Sequence, residues 1–504
     1  MGKRAFVTGI VLIAAMLPGV TPGSAAAAQP SIRWTECGTA FKGECATIPV
    51  PVDYAHPRAG TFDLAIGRLR ALDPAHRIGV LFVHPGGPGS SGIDRYITAP
   101  GIPDDSPLRQ RFDIVSVDPR GVGRSHPVVC SADVVAQTPL EFPASEAEYR
   151  ALLDFNGRLA RDCRAHTGPL FDHVDTVSAV RDVDSIRAAL GERQLSFFAI
   201  SYGTQVGQQY AELFPGRIRA MAIDSNMDHS IRSAFEYLKT TTEDLEGEFL
   251  TFARWCKDIA ACGLHGRDVV ALWDDLHARA QAGTLIDPDT GEPLGAESLR
   301  FEMFDAMYDP NDWFGLADRL AALADGTVAA LGSSASNSAL TGETEPNPYP
   351  AIWCSDWSWN VHSFTELRLY RERLARIAPH STLSPFWSDV TSCLGWPNRA
   401  SNPQHRLDVH GAPTILLVKA KFDIATPHAW NFAVSEQIRN SVLLQYDGVG
   451  HGQFRNSVCA RGYIERYLIE RRLPAQGTHC AAELPTSRPV AAFGVPGTGR
   501  PAHS

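Results

Sequence analysis

The sequence predicts an α/β protein whose mostly parallel sheet is covered by helices on both faces and interrupted by an inserted helical cap. Three observations carry this reading. Apolar runs without alternation, Gly79-Val-Leu-Phe-Val83 and Phe112-Asp-Ile-Val-Ser-Val117, have the pattern of strands buried on both faces. Segments with three- and four-residue apolar spacing lie between such runs, so strands and helices alternate along the chain. From about Met227 to His405 the alternation stops, and helical patterns rich in Trp, Phe and Leu replace it with no buried Val/Ile strand. The expected division is therefore a sheet domain in two parts, 29–226 and 406–480, with the cap at 227–405 between them.

A chain of 504 residues, 44% hydrophobic and 20% charged, can bury a large core and is not a disordered polymer. Lys3 and Arg4 precede the apolar run Ala5 to Leu17 and then Ser24-Ala-Ala-Ala-Ala28. A basic start, a run too short to span a bilayer and small residues after it predict a signal peptide over residues 1–28 and a secreted, extracellular protein. This leader has no cysteine to carry a lipid, and no later stretch is apolar enough for a membrane helix, so no membrane anchor is expected. The formal net charge is −10, and it becomes more negative without Lys3 and Arg4. That balance disfavours nucleic acid and anionic membranes as partners.

The ten cysteines are an even number in an exported chain, which points to disulfides. Pairing of neighbours (Cys37–Cys45, Cys130–Cys163, Cys256–Cys262, Cys354–Cys393, Cys459–Cys480) is expected because each pair would close a local loop. A metal site is the weaker reading, since there is no C-x-x-C pair and no H-E-x-x-H. No cofactor is expected.

The elements follow in order. Residues 29–60 read as an extended, Pro-rich leader to the fold around Ile48-Pro-Val-Pro-Val52, and Thr61 to Leu69 as an early strand. Gly79–Val83 runs into His84-Pro-Gly-Gly-Pro-Gly-Ser-Ser-Gly92, where so many glycines require a tight turn or a close approach to a ligand. A phosphate loop is excluded for want of a following Lys-Ser/Thr. The catalytic alternative to a simple turn is that the Gly87 N–H faces an oxyanion. After the strand Phe112–Val117 comes Asp118-Pro-Arg-Gly-Val-Gly-Arg-Ser125, which lacks the third glycine of a dinucleotide site. Asp118 and Arg120 read as structural ties for this loop. Val177, Val180, Val183, Ile186 and Leu190 predict an amphipathic helix ending at Gly191, with Asp175 or Thr176 as its cap.

The chain then reaches Gln194-Leu-Ser-Phe-Phe-Ala-Ile-Ser-Tyr-Gly-Thr-Gln-Val-Gly207, an apolar strand followed by helical spacing at Val206, Tyr210 and Leu213 up to Pro215. Ser201 sits at the junction. Ala199-Ile-Ser201-Tyr-Gly203 matches the nucleophile elbow G-x-S-x-G with Ala in the first position, a short pattern that a structural Ser could also satisfy. Ile218 to Asp224 is the next strand. After the cap, which contains the Ser/Asn/Gly/Pro-rich loop 332–350, strands resume at 413–419 and 441–446. A helix follows at 458–472, and 481–504 reads as a loosely held tail.

A Ser at an elbow needs a base, and the base needs an orienting acid, each just after a later strand. Asp423, in Ala420-Lys-Phe-Asp-Ile-Ala-Thr-Pro427, and His451, in Gly448-Val-Gly-His-Gly452, fill those places. Asp447 is a rival acid, but it lies on the same loop as the His. In the expected mechanism His451 deprotonates Ser201 as it attacks an acyl carbon, Asp423 fixes the imidazole, and the N–H groups of Tyr202 and Gly87 hold the oxyanion. Loss of such a donor typically costs about 2.7–4 kcal/mol of barrier. Activity should fall at acidic pH as the base protonates.

His84-Pro-Gly-Gly-Pro-Gly89, Asp118-Pro-Arg-Gly-Val-Gly-Arg-Ser125, Ser201-Tyr-Gly-Thr204, Asp423…Thr426-Pro427 and Gly450-His-Gly452 resemble the secreted bacterial tripeptidyl aminopeptidases. These are relatives of proline iminopeptidase in the α/β-hydrolase superfamily. The similarity takes in the cap (Tyr308-Asp-Pro, Ala351-Ile-Trp-Cys-Ser-Asp356) and the C-terminal cysteines. It maps the family's nucleophile, acid and base onto Ser201, Asp423 and His451, with Ala199 as a departure that removes no catalytic group. The resemblance implies release of short peptides, often three residues, from free N-termini. An enzyme that grips an ammonium needs a carboxylate in its site; Asp356, between Trp353 and Trp357, is the candidate, against an ordinary cap residue beside a disulfide. Trp353, Trp357 and Trp359 are candidates for an apolar substrate pocket, with core packing as the alternative. An esterase or lipase with the same triad and a non-catalytic binding protein of the same fold are the competing readings. Ser rather than Asp at the elbow disfavours an epoxide hydrolase or dehalogenase.

Overall fold

The computed structural model describes residues 1–2, 32–38, 43–99, 101–327 and 343–488. All but the first two residues of the expected signal peptide, most of the Gly/Ser-rich cap loop and all but the first eight residues of the expected tail lie outside them.

A ten-stranded sheet forms the centre. Its members are β1 (Thr35–Glu36), β2 (Glu44–Pro51), β3 (Thr61–Leu69), β4 (Gly79–His84), β5 (Phe112–Val117), and, after the short β6 (Val129–Ser131), β7 (Leu195–Ser201) and β8 (Ile218–Asn226). Beyond the cap strand β9 (Thr344–Pro346) come β10 (Ile415–Lys419), β11 (Ser441–Tyr446) and β12 (His479–Cys480). The order is β1-β2-β3-β5-β4-β7-β8-β10-β11-β12. Pairing is antiparallel from β1 to β5 and parallel from β5 to β12. The parallel strands are those without alternation in the sequence, and every residue of β4 and β10 is buried, as a sheet with helices on both faces requires. The stretch expected as an extended, Pro-rich leader supplies β2, whose Ile48 and Val50 face the core while Thr47 and Pro49 are exposed.

Helices cover the two faces. Thr176–Ala189 packs against the elbow helix Tyr202–Leu213 on one, and Val458–Glu470 lies on the other. Asp175 is the cap of the first, accepting the Ser178 N–H through its side chain. The insertion between β8 and β10 buries Phe249, Trp273, Leu299, Met303, Trp313 and Leu320 in one cluster that also takes in Ile424, Ala425 and Val449 from beyond β10. Its long entering helix, Ala234–Asp258, also contributes to a second aromatic cluster around Tyr237, Trp353, Trp357 and Trp430. One strand does occur in this otherwise helical insertion: β9 pairs antiparallel with β6 of the sheet domain. All five neighbour disulfides are formed. Among the described residues no helix is long and apolar enough to cross a membrane.

Candidate active site

Strand β7 stays apolar to Ile200, and Ser201 then takes φ 62° and ψ −136° to open the helix Tyr202–Leu213. A non-glycine residue in such a conformation costs on the order of 1–3 kcal/mol and persists only where its surroundings enforce it. The surroundings here are close. A Cβ on Gly203 would lie 2.9 Å from His84 Nδ1 and 3.1 Å from the His84 carbonyl oxygen. On the other side a Cβ on Gly86 would lie 3.0 Å from the Ile200 carbonyl oxygen and 3.1 Å from Ser201 Cβ. The glycine loop after β4 and the elbow therefore touch backbone to backbone. The Ala199 methyl is fully buried in the core under the sheet, so the elbow tolerates it as a packing variation.

Of the two residues expected to supply N–H groups to an oxyanion, Tyr202 follows Ser201 directly, and Gly87 follows Gly86, which packs on Ser201. Tyr202 opens its helix, where the first N–H groups have no intrahelical partner, and the Ser201 side chain does not cap them. The helix N-terminus adds a favourable field for negative charge. In the glycine loop the Gly86 N–H turns toward His84 Nδ1 at 3.4 Å, and Gly87 follows at φ 106°. Burial holds the His84 imidazole down at about 3, so it is neutral. Asp118 ties this loop down, as its place in the sequence predicted. It is fully buried, accepts the Ser91 hydroxyl and the Ile93 N–H, and holds the Arg124 N–H at 2.9 Å. Arg120 makes two 2.7 Å bonds to Asp182 and donates to carbonyls at the end of β2 and at His173.

The acid and the base come together. His451 Nδ1 lies 2.9 and 3.1 Å from the two oxygens of Asp423, both residues being largely buried. Asp423 also accepts the Ala425 and Thr426 N–H groups at 3.0 Å and the Thr426 hydroxyl at 2.8 Å. Burial pushes this carboxyl up, but the His451 charge and ring bond, with those donors, hold it below the usual carboxylate range. The rival Asp447 points elsewhere, to His479 Nδ1 at 2.8 Å. The base loop lies over the end of β7: a Cβ on Gly452 would stand 3.5 Å from Ile200.

Asp356 has a different place from the one expected. It is fully buried on the far side of Tyr202, where Thr176 donates both its N–H, at 2.9 Å, and its hydroxyl. Asn402 donates to it at 2.8 Å and Gln205 at 3.3 Å, and the Tyr202 hydroxyl sits between it and Thr176. Burial and the neighbouring Asp175 raise its carboxyl to about 7 against those donors. A group so enclosed braces the Tyr202 side chain and leaves no room for an ammonium. Trp353 and Trp357 are likewise core residues, 2% and 1% exposed and stacked on each other at 4.8 Å. Trp359 stacks next to them, and the indole N–H groups of Trp353 and Trp359 both donate to the Asp389 carbonyl. They form an aromatic core cluster with Tyr237 and Trp430.

Several residues at the site were not singled out from the sequence. The Tyr308 carbonyl accepts the His451 N–H at 2.9 Å, and its ring meets the imidazole edge-on at 5.5 Å. A Cβ on Gly450 would strike Pro310 at 2.9 Å, so the cap's Tyr308-Asp-Pro310 presses on the base loop. Pro348 and Tyr349 press in the same way on Gly89 of the glycine loop. Asp244, on the entering cap helix, accepts the Asp423 N–H at 3.1 Å and pairs with His428 Nδ1 at 2.6 Å. Such contacts pair residues more than a hundred positions apart, and no local pattern announces them. The polar run Asp224-Ser-Asn226 closing an apolar strand was the one visible signal.

Comparison with known proteins agrees with this geometry. The family model described as TAP-like protein matches residues 380–480, and that described as alpha/beta hydrolase fold matches residues 79–275. A tripeptidyl aminopeptidase of Streptomyces lividans is 30% identical over 496 residues, covering 94% of this chain and 90% of its own. Serine protease Hip1 of Mycobacterium tuberculosis is 30% identical over 503 residues, covering 92% of this chain and 94% of its own. A carboxylesterase B of the same organism is 29% identical over 493 residues, with 92% of each chain covered. With a strained elbow Ser, a buried His–Asp pair and relatives aligned along nearly its whole length, the chain is a serine hydrolase and belongs to the bacterial tripeptidyl aminopeptidase family of the α/β-hydrolase superfamily.

Proposed function

We propose that the protein is a secreted serine exopeptidase that releases short peptides, most readily tripeptides, from substrates with a free N-terminus. The observation that carries the chemistry is the His451–Asp423 bond, on a loop that packs over the end of the strand carrying Ser201 at φ 62°. Asp423 fixes the imidazole with Nδ1 bonded, so the other ring nitrogen, Nε2, takes the Ser201 proton as Oγ attacks the carbonyl carbon. The tetrahedral oxyanion is held by the N–H groups of Tyr202 and Gly87, already fixed in place before the reaction. Collapse of that intermediate, with His451 returning the proton to the leaving amine, gives the acyl-enzyme. Water, deprotonated by the same His, then releases the peptide.

The substrate class rests on the relatives named tripeptidyl aminopeptidase and serine protease. Support for export comes from five disulfides, with no free cysteine among the described residues. An esterase is the second reading, favoured by the relative named carboxylesterase B, because one triad serves both acyl groups.

The test is chromophore release from tripeptide anilides with free and with acetylated N-termini, beside p-nitrophenyl esters, for the native enzyme and Ser201→Ala. Preference for the free N-terminus and loss of turnover in Ser201→Ala are expected. Equal cleavage of the acetylated peptide would exclude an aminopeptidase, ester turnover alone would favour the esterase, and surviving activity in Ser201→Ala would overturn the mechanism.

A further inference from the structure

Strand β8 ends in three consecutive polar residues, Asp224, Ser225 and Asn226, all with no solvent exposure. Buried polar groups need partners, and here the partners are the segments that carry the base and the acid. Asp224 Oδ2 accepts the Phe454 N–H at 2.8 Å, just past His451. Ser225 Oγ accepts the Gly452 N–H at 2.9 Å, the residue next to His451. Asn226 donates to the Val418 carbonyl of β10 at 3.2 Å and to Asn431 Oδ1 at 2.9 Å, the strand and helix that bracket Asp423.

Ser225 stands in the middle of this set and is unusual twice over. Its backbone is left-handed, at φ 61°, the same strained region as Ser201, with which β8 is in register one residue further on. Its hydroxyl has one proton to give and lone pairs to receive. The lone pair takes the base loop's N–H. On the donor side it faces Asp224 Oδ1 at 3.5 Å, and its presence also helps hold the Asp423 carboxyl below the usual range.

We propose that Ser225 is a positioning residue of the triad, its hydroxyl fastening the base loop at Gly452 to the end of β8, which is itself bonded to the strand and helix on either side of Asp423, and its left-handed backbone aiming the hydroxyl at the base loop. This rests on the reading of Ser201, Asp423 and His451 as the triad. The strand end thus acts as a third party to the His–Asp bond: it sets where the two loops stop relative to each other and touches no substrate.

The hydroxyl and the backbone conformation are separable by substitution. Glycine adopts left-handed φ without steric penalty and has no hydroxyl, so Ser225→Gly removes only the proposed tie. It is expected to lower kcat about 100-fold, the scale of an ångström misplacement of reacting groups, while KM is unchanged. Ser225→Cys keeps the size with a weaker donor and acceptor and should lie between. Ser225→Ala should match the glycine variant in kcat and melt at a lower temperature. Wild-type kcat in Ser225→Gly, or in Ser225→Cys if the glycine variant fails to fold, overturns the proposal, as does a loss carried by KM. Ser201→Ala and His451→Ala are measured alongside. If these abolish turnover while Ser225→Gly keeps the wild-type kcat, positioning by Ser225 falls and the triad stands. If these retain turnover, the triad reading falls and this proposal with it.

Discussion

Asp356 shows how a carboxylate near an active site can serve the scaffold alone. Its oxygens accept from Thr176, Asn402 and Gln205, a network that closes around the Tyr202 hydroxyl. Asp356→Asn places amide protons where Thr176, Asn402 and Gln205 donate. It is expected to destabilise by about 1–3 kcal/mol, the usual penalty for a buried mismatch, and to lower the melting temperature. KM for peptides with a free amine should not change. A KM increase confined to those peptides would restore Asp356 as the ammonium anchor. The sequence offered Asp356 because it lies between two tryptophans; what it could not convey is that those rings stack inward on each other.

At the level of elements, the elbow depends on contact between the start of its helix and the end of β4. Gly203 makes that contact possible, its α-hydrogen lying where a methyl would meet His84 at 2.9 Å. Gly203→Ala should therefore push the helix away from β4, destabilise the fold by about 1–3 kcal/mol as an overpacked core residue does, and reduce kcat by displacing the Tyr202 N–H. Melting curves and steady-state kinetics on the one variant check both effects, and a wild-type kcat would show that the helix can shift without harm. The parallel strands, the elbow and its helix, and the loops of Asp423 and His451 were legible because each is a local pattern: an apolar run, a helical spacing, a Gly-flanked side chain. β2 was legible as extended chain but not as a strand of the sheet, since prolines at 49 and 51 mask its alternation. β9 was missed because three residues paired with a distant strand have no period of their own. The ties from Tyr308, Asp244 and the end of β8 join distant parts of the chain, and periodicity is silent about those.

Across the whole molecule, burial of carboxyls sets a direction for stability with pH. Asp224 is raised to about 6, Asp356 and Asp389 to about 7, and Glu248 well above its ordinary value, in each case foremost by burial. Between the unfolded and folded values such groups hold more protons in the folded chain, so their contribution is full below about 4 and is lost as pH rises toward 7. Two buried histidines, His84 and His229, both held down at about 3 by burial, act in the opposite sense. Four carboxyls outweigh two imidazoles, and the melting temperature should be higher near pH 5 than near pH 8. Calorimetry across that interval tests it, and a flat or rising profile would mean these carboxyls are ionised in the folded state. Since the base must be neutral to work, the most stable pH lies below the most active one.

The order of the cysteines has a consequence for how the chain is made. Each of the five bonds joins a cysteine to the next one in the sequence, with separations between 6 and 39 residues, so no loop encloses or interlaces with another. Two bonds lie wholly within the cap and three wholly within the sheet domain, and none joins one to the other. A chain emerging from its N-terminus into an oxidising compartment therefore meets each correct partner before any wrong one. Oxidation in order of appearance produces the native set without reshuffling.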